Sequence, residues 1–137
     1  MLSDMDRKTA NLASIPTFAA LDPRSLEAVA TLAREVDAPA GSVLMREGEP
    51  AHSFFVILTG TVHIERGGSL VRSMSAGGFF GEVALIEDSH RTATATCVTD
   101  CEFFEFGSFE FGRVMDTFPD VRARVEATAA RRPHTAD

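Results

Sequence analysis

Apolar positions along this chain follow two different periods. Between residues 22 and 36 they recur at helical spacing. Leu26, Val29, Ala30, Ala33 and Val36 follow Asp22-Pro23, a capping residue and then a proline suited to the first helical turn. Ile15-Pro16 separates this helix from a weaker helical segment over Asp6 to Ser14. From residue 36 the texture becomes short β-type runs: Ser42 to Arg46, Ser53 to Leu58, Thr61 to Glu65, Leu70 to Ser75, Thr92 to Val98 and Glu102 to Phe106. Gly41, Gly48, Gly60, Gly67-Gly68 and Gly77-Gly78 fall between them, the punctuation of an antiparallel barrel or jelly roll. Thr92 to Val98 alternates, with Thr92, Thr94 and Thr96 on one face and Ala93, Ala95 and Cys97 on the other, so one side of that strand is small and apolar. After residue 107 the helical period returns. Ser108 is positioned to cap a short helix through Met115, and Pro119 starts another whose Val121, Val125 and Ala129 form an i, i+4 stripe. Arg122, Arg124, Arg131 and Arg132 stud its other faces, by default a solvated surface that complements the helix dipole.

These elements predict an α+β fold, an antiparallel β-roll or jelly-roll barrel flanked by helices at both ends. The whole of 1–137 reads as one domain: helices over 1–35, the roll over 36–107, helices over 108–132 and a free tail over 133–137. A chain of 137 residues with 45% apolar content can bury roughly two-thirds of its unfolded surface, so neither disulfides nor a structural metal is required. With 13 basic against 20 acidic side chains and a net charge of -7, it lacks the clustered Lys and Arg from which general phosphate-backbone binders draw affinity. Any polyanion it holds must be small and locally caught. No basic n-region precedes an apolar run, and no apolar stretch approaches the roughly 18 to 20 residues that cross a bilayer. The expectation is therefore a soluble, cytoplasmic protein. Cys97 and Cys101 form a C-x3-C pair that matches neither a zinc quartet nor a C-x-x-C redox motif, and they read as buried free thiols. The minor alternative is a cross-hairpin disulfide or redox sensor.

One segment breaks the rhythm of strands: Gly77-Gly78-Phe79-Phe80-Gly81-Glu82-Val83-Ala84-Leu85-Ile86-Glu87-Asp88-Ser89-His90-Arg91-Thr92. It contains Val83 to Ile86, a helix too short for core packing alone to justify. Glycine ahead of a helical turn leaves amides free and lets a ligand approach the backbone, which makes a local anion site without net positive charge. Arg91 can add a bidentate charge-assisted pair to two phosphate oxygens, and Thr92 a hydroxyl and an amide. Glu82 would repel a bare phosphate, so it needs another task. Accepting a hydrogen bond from a sugar hydroxyl is one, as acidic residues do for ribose in dinucleotide folds.

Phe-Gly-Glu-Val-Ala-Leu-Ile-Glu-Asp-Ser-His-Arg-Thr-Ala-Thr-Ala, over 80–95, resembles the phosphate-binding cassette (79–92 here) of the cyclic nucleotide-binding domain family, as found in the catabolite activator protein, protein kinase A regulatory subunits and cyclic-nucleotide-gated channels. The resemblance runs from about Phe18 to Arg132. It includes Pro39-Ala40-Gly41, Glu47-Gly48, Phe55-Val56-Ile57, Gly60-Thr61-Val62 and the nine-residue step from Glu82 to Arg91. It implies that Glu82 holds the ribose 2'-hydroxyl, that Gly81 and the backbone of Val83 and Ala84 line the phosphate end, and that Arg91 and Thr92 take the cyclic phosphate. It also implies that the C-terminal helix acts as a lid, with Val121 and Val125 over the pocket mouth and Arg124, Arg131 or Arg132 reaching the base. The implied ligand is cAMP, with cGMP the alternative that Thr92 also suits. No cofactor or metal is implied. The partner would be a protein or an effector domain. Transcription factors of the family carry a helix-turn-helix after the C-terminal helix, and Pro133 to Asp137 does not supply one, so DNA reading by this chain is not expected.

Two other readings compete. An interaction or scaffold domain of the same fold that no longer binds cyclic nucleotide draws its support from Gly78, which stands where many family members carry Asp. An enzyme, such as a phosphodiesterase or metal-dependent hydrolase, is disfavoured. His52, His63, His90 and His134 make no H-x-H or His-x3-His pair, and no nucleophile motif accompanies the serines and cysteines. Phe54, Phe55, Phe79, Phe80, Phe103, Phe104 and Phe106 read as core.

Overall fold

Strands whose apolar residues run without alternation must be covered on both faces, and this chain holds two of them, around Phe54-Phe55-Val56-Ile57 and Phe103-Phe104. The computed structural model describes residues 3–87 and 89–132, and in it these runs lie side by side in the middle of three layers. The elements are α1 (Asp4–Ala13), α2 (Pro23–Leu32), β1 (Arg34–Ala38), β2 (Val43–Met45), β3 (Ser53–Thr59), β4 (Val62–Arg66), β5 (Ser69–Met74), β6 (Phe79–Phe80), α3 (Glu82–Ile86), β7 (Thr94–Cys97), β8 (Cys101–Gly107), α4 (Ser108–Thr117) and α5 (Pro119–Arg131). Two antiparallel four-stranded sheets form the roll, ordered β1-β8-β3-β6 and β2-β7-β4-β5.

The alternating side chains of β3 and β8 serve two separate cores. Phe54, Val56, Phe104 and Phe106 face the helices, where they join Leu12, Ile15, Phe18, Val29, Phe111, Val114 and Val125. Phe55, Ile57 and Phe103 face the other sheet, where they meet Val62, Ile64, Phe80, Ala93, Ala95 and Cys97. All seven phenylalanines assigned to the core are buried. The second sheet is covered on one side only, and β7 shows it: Ala95 and Cys97 are buried while Thr94 and Thr96 are half-exposed. Cys97 and Cys101 are buried free thiols, and burial, followed by the neighbouring Cys101, pushes the Cys97 thiol up to about 12.

Several boundaries differ from the sequence reading. The second helix ends at Leu32, and Val36 belongs to β1, paired with Phe103 of β8. Its helical phase is a coincidence of spacing, because β8 offers residues 34–38 a full ladder of backbone partners. Ser108 does not cap α4. Gly107 takes the cap position with no side-chain bond, and Ser108 is the first helical residue. Thr92 precedes β7 instead of starting it. The structure also adds β6, two phenylalanines that pair with Val56 and Phe55 and deliver the chain to α3. The expected tail at 133–137, with His134, and Asp88 of the cassette segment lie outside the described residues. Among the described residues no helix is long and apolar enough to cross a membrane.

Candidate functional site

Gly81 turns the chain from β6 into α3 with φ 93°, in the left-handed region. A β-carbon there would stand 2.9 Å from Arg91 Nη1 and 3.0 Å from the Ser53 carbonyl oxygen, so glycine is required by conformation and by space. The turn opens the short helix α3, whose amides at residues 82–84 have no carbonyl four residues earlier within the helix. Glu82, its first residue, is fully buried at 0% exposure.

Arg91 reaches the same turn from the far end of the segment. Its backbone is fixed to the β2–β3 connection, N–H donating to the Glu49 carbonyl at 2.8 Å and the carbonyl accepting from Gly48 N at 2.9 Å. Its guanidinium, on a side chain with 6% exposure, donates through Nη1 to the Gly81 carbonyl at 2.8 Å and through Nη2 to the Ser53 carbonyl at 2.5 Å. Burial pulls its pKa down and the Glu82 carboxylate opposes that shift. Two of five N–H groups are engaged by these bonds, and the fork retains others for a ligand. Thr92 is half-buried beside it, and its carbonyl accepts from Arg66 Nε at 2.9 Å.

Gly81, Glu82, Val83, Ala84, Arg91 and Thr92 all line one cleft of about 450 Å³, counting its open mouth. The opposite wall comes from the second sheet: Met45, Ile64, Arg66, Val71, Arg72 and Met74, with Phe80 at the base. The sequence reading missed these wall residues. The signal available was the period of β5, where Arg72 and Met74 are half-buried and Leu70, Val71 and Ser73 exposed. Arg66, Arg72, Arg91 and Arg132 surround the single carboxylate Glu82, so the cleft is a positive site in an acidic chain. Burial, then the like charge of Arg132, lowers the pKa of Arg72, while Glu82 raises it. Gly78 contributes by its size, since a β-carbon there would meet Met74 Cε at 2.9 Å and displace a wall residue.

The proposed lid residues separate. Val121 and Val125 do not cover the mouth: they are buried in the helical layer with Phe111, Val114 and Met115, because the apolar stripe of α5 is consumed in packing on α4 and its neighbours. Arg124 and Arg131 are exposed and do not line the cleft. Arg132, just past the end of α5, does. Its Nη1 donates to Glu82 Oε1 at 2.5 Å and its Nη2 to the Phe79 carbonyl at 2.8 Å, with the guanidinium 5.1 Å from the Phe79 ring centre. Glu82 Oε2 and Arg132 Nε are buried with no hydrogen-bond partner among the described residues. Among the described residues no group of three or more His, Cys, Asp and Glu side chains is placed to hold a metal ion.

Comparison with protein families matches residues 35–118 to the family described as cyclic nucleotide-binding domain. Among curated proteins, a cAMP-dependent protein kinase regulatory subunit of Aspergillus niger is 29% identical over 117 residues, 84% of this chain and 28% of its own length. The cyclic nucleotide-gated potassium channel mll3241 of Mesorhizobium japonicum is 30% identical over 129 residues, 94% of this chain and 36% of the channel. The chain thus spans about a third of the length of these relatives. Among solved structures, the sensor domain of the transcriptional regulator DNR from Pseudomonas aeruginosa shares the fold, with a TM-score of 0.77 at 22% identity over 94% of this chain and 90% of that one.

Proposed function

The chain belongs to the cyclic nucleotide-binding domain family, and from that premise we propose that it is a sensor for a purine 3',5'-cyclic mononucleotide, cAMP before cGMP. The observation that carries this reading is the pairing of a buried guanidinium, Arg91, with a buried carboxylate, Glu82, on one cleft. A cyclic phosphate holds one negative charge at a fixed separation from the ribose hydroxyl, so Arg91 and Glu82 are satisfied together. An open monophosphate carries roughly one further charge at neutral pH, its second ionisation lying near 6, and would bring that charge toward Glu82. The apolar wall of Met45, Ile64, Val71 and Met74 suits the face of a base.

The nucleotide order rests on a curated relative named as a cAMP-dependent kinase regulatory subunit. One observation favours cGMP instead. Arg72 stands in the cleft wall near Arg132, and guanine offers the O6 and N7 acceptors that an arginine fork fits. The reading assigns the chain no reaction: nucleotide leaves the cleft intact, and the output is a change in α5 that a partner protein or adjoining domain receives.

Isothermal titration with cAMP and cGMP tests it. Saturable binding of either nucleotide is expected, and Arg91→Ala should weaken it by about a hundredfold, the loss of two charge-assisted hydrogen bonds at about 1.5 kcal/mol each. Unchanged affinity in that variant would remove Arg91 from the phosphate site. If neither nucleotide binds, and neither raises the melting temperature, the scaffold reading replaces the sensor.

A further inference from the structure

We propose that Cys97 and Cys101 are an oxidisable dithiol, which hydrogen peroxide entering at Cys101 converts to a disulfide that staples the two sheets of the roll to each other. The inference is independent of the nucleotide reading, which leaves both thiols unused.

Cys97 ends β7 in the second sheet and Cys101 begins β8 in the first, so the two residues belong to different sheets although they are close in sequence. On one continuous strand their separation would be about 13 Å, at about 3.3 Å per residue. The Val98-Thr99-Asp100 turn folds the chain back instead, and both side chains are buried in the core between the sheets. The two ends of the turn meet on one atom: the Thr61 carbonyl accepts from Val98 N–H at 2.9 Å and from the Cys101 thiol at 3.5 Å. Cys97 is registered opposite Val62, the next residue along. Gly60 leaves the space that the sulfur fills, since a β-carbon there would stand 2.5 Å from Cys101 Sγ. The thiols are neighbours: after burial, a hydrogen bond with Cys101 is what holds the Cys97 thiol up at about 12.

Cys101 is the thiol with a route to solvent. It lines an open cleft together with Asp37, Asp100 and Glu102, and Asp37 and Glu102 are directly paired across β1 and β8. This acidic rim disfavours anionic reagents such as oxidised glutathione and admits a small neutral peroxide. In the first step the peroxide O–O bond breaks, one oxygen bonds to the Cys101 sulfur as a sulfenic acid, and the other leaves with the thiol proton as water. In the second, the Cys97 sulfur bonds to the Cys101 sulfur, the S–O bond breaks, and the hydroxyl leaves with the Cys97 proton as a second water. The sulfurs together give up two electrons and the peroxide takes them. The bonds Cys101 surrenders are long ones, to the Thr61 carbonyl at 3.5 Å and the Thr99 carbonyl at 3.3 Å, and the product carries no S–H donor into an apolar core.

Treatment of the reduced protein with hydrogen peroxide, read by mass spectrometry, tests this. The tryptic peptide 92–113 holds both cysteines and no methionine. It should lose the mass of two hydrogens and leave no thiol for iodoacetamide, and dithiothreitol should restore both thiols. Two alkylatable thiols after treatment, oxygen added in place of the loss of hydrogen, or a disulfide between two chains each overturns the proposal. Cys97→Ala should stop at a Cys101 sulfenic acid that dimedone captures, and Cys101→Ala should leave Cys97 unmodified; oxidation of Cys97 in that variant overturns entry at Cys101. The oxidised wild type should melt about 5 °C above the same sample re-reduced with dithiothreitol, because the cross-link restricts the unfolded chain. Its melting temperature should also lack the steep fall above pH 9.0 that the free Cys97 thiol produces. A lower melting temperature after oxidation, or retention of that fall, overturns the staple.

Discussion

At Gly81 two independent demands fall on one α-carbon. Its φ of 93° disfavours any L side chain, and the space where a β-carbon would stand is bounded by Arg91 and by the Ser53 backbone. Gly81→Ala should lower the melting temperature, with a left-handed penalty of about 1–2 kcal/mol before the contacts are counted. It should also weaken nucleotide binding, because Arg91 loses its seat on the Gly81 carbonyl; a thermal melt and a titration of the same sample check both. Cys97 makes a different prediction. Burial raises its thiol to about 12 from an ordinary 9.0, so the folded state holds a proton that the unfolded chain gives up. The stabilisation is complete below pH 9.0 and is lost as pH rises from there toward about 12. Melting temperatures measured across that window should fall more steeply for wild type than for Cys97→Ala. Arg91, Glu82 and Thr92 were legible from their residue types within one segment and from its resemblance to the family's cassette. Arg66 and Arg72 were not, because their role depends on which strands face that segment.

The elements were set by local chemistry wherever a turn or cap was decisive. Gly60, between β3 and β4, has φ 100°, and a β-carbon on it would stand 2.5 Å from Cys101 Sγ and 2.6 Å from the Asp100 carbonyl oxygen. No side-chain rotation relieves the second contact. Gly60→Ala should destabilise by more than the about 1 kcal/mol typical of point substitutions, read as a lower urea midpoint with an unchanged slope. Such punctuation is why all six expected strands coincide, within a few residues, with observed ones, β2 to β5, β7 and β8. The boundary at Val36 failed for the opposite reason. Helical spacing and strand alternation share positions over so short a run, and the ladder with β8 decided between them. The two-residue strand β6 carries no period at all, and only its pairing with Val56 and Phe55 defines it.

Across the whole molecule, net charge and local charge have opposite signs. The chain carries -7, yet four arginines and one glutamate line the cleft. With a screening length of about 10 Å at 0.1 M salt, the near charges dominate what a small anion experiences inside the cleft. Raising sodium chloride from about 50 to about 500 mM should therefore weaken cyclic nucleotide binding a few-fold; tighter binding at high salt would show that the global field prevails. The same scale explains the two-sided burial of β3 and β8. Helices cover one face and the second sheet the other, which is what turns consecutive phenylalanines into one middle layer.

The sequence alone determined the roll of short strands between helices and the burial of the cysteines, and its family resemblance grouped the cassette residues in one site. The first two follow from turn chemistry, periodicity or spacing inside a short segment, where backbone geometry leaves few choices. Only the tertiary structure decided that Val121 and Val125 pack inward, that Arg66 and Arg72 face the site, and that Arg132 closes on Glu82. That last contact joins residues 50 positions apart. No local period encodes such a pairing, because it depends on how α5 docks on the helical layer and on where that leaves the end of the helix.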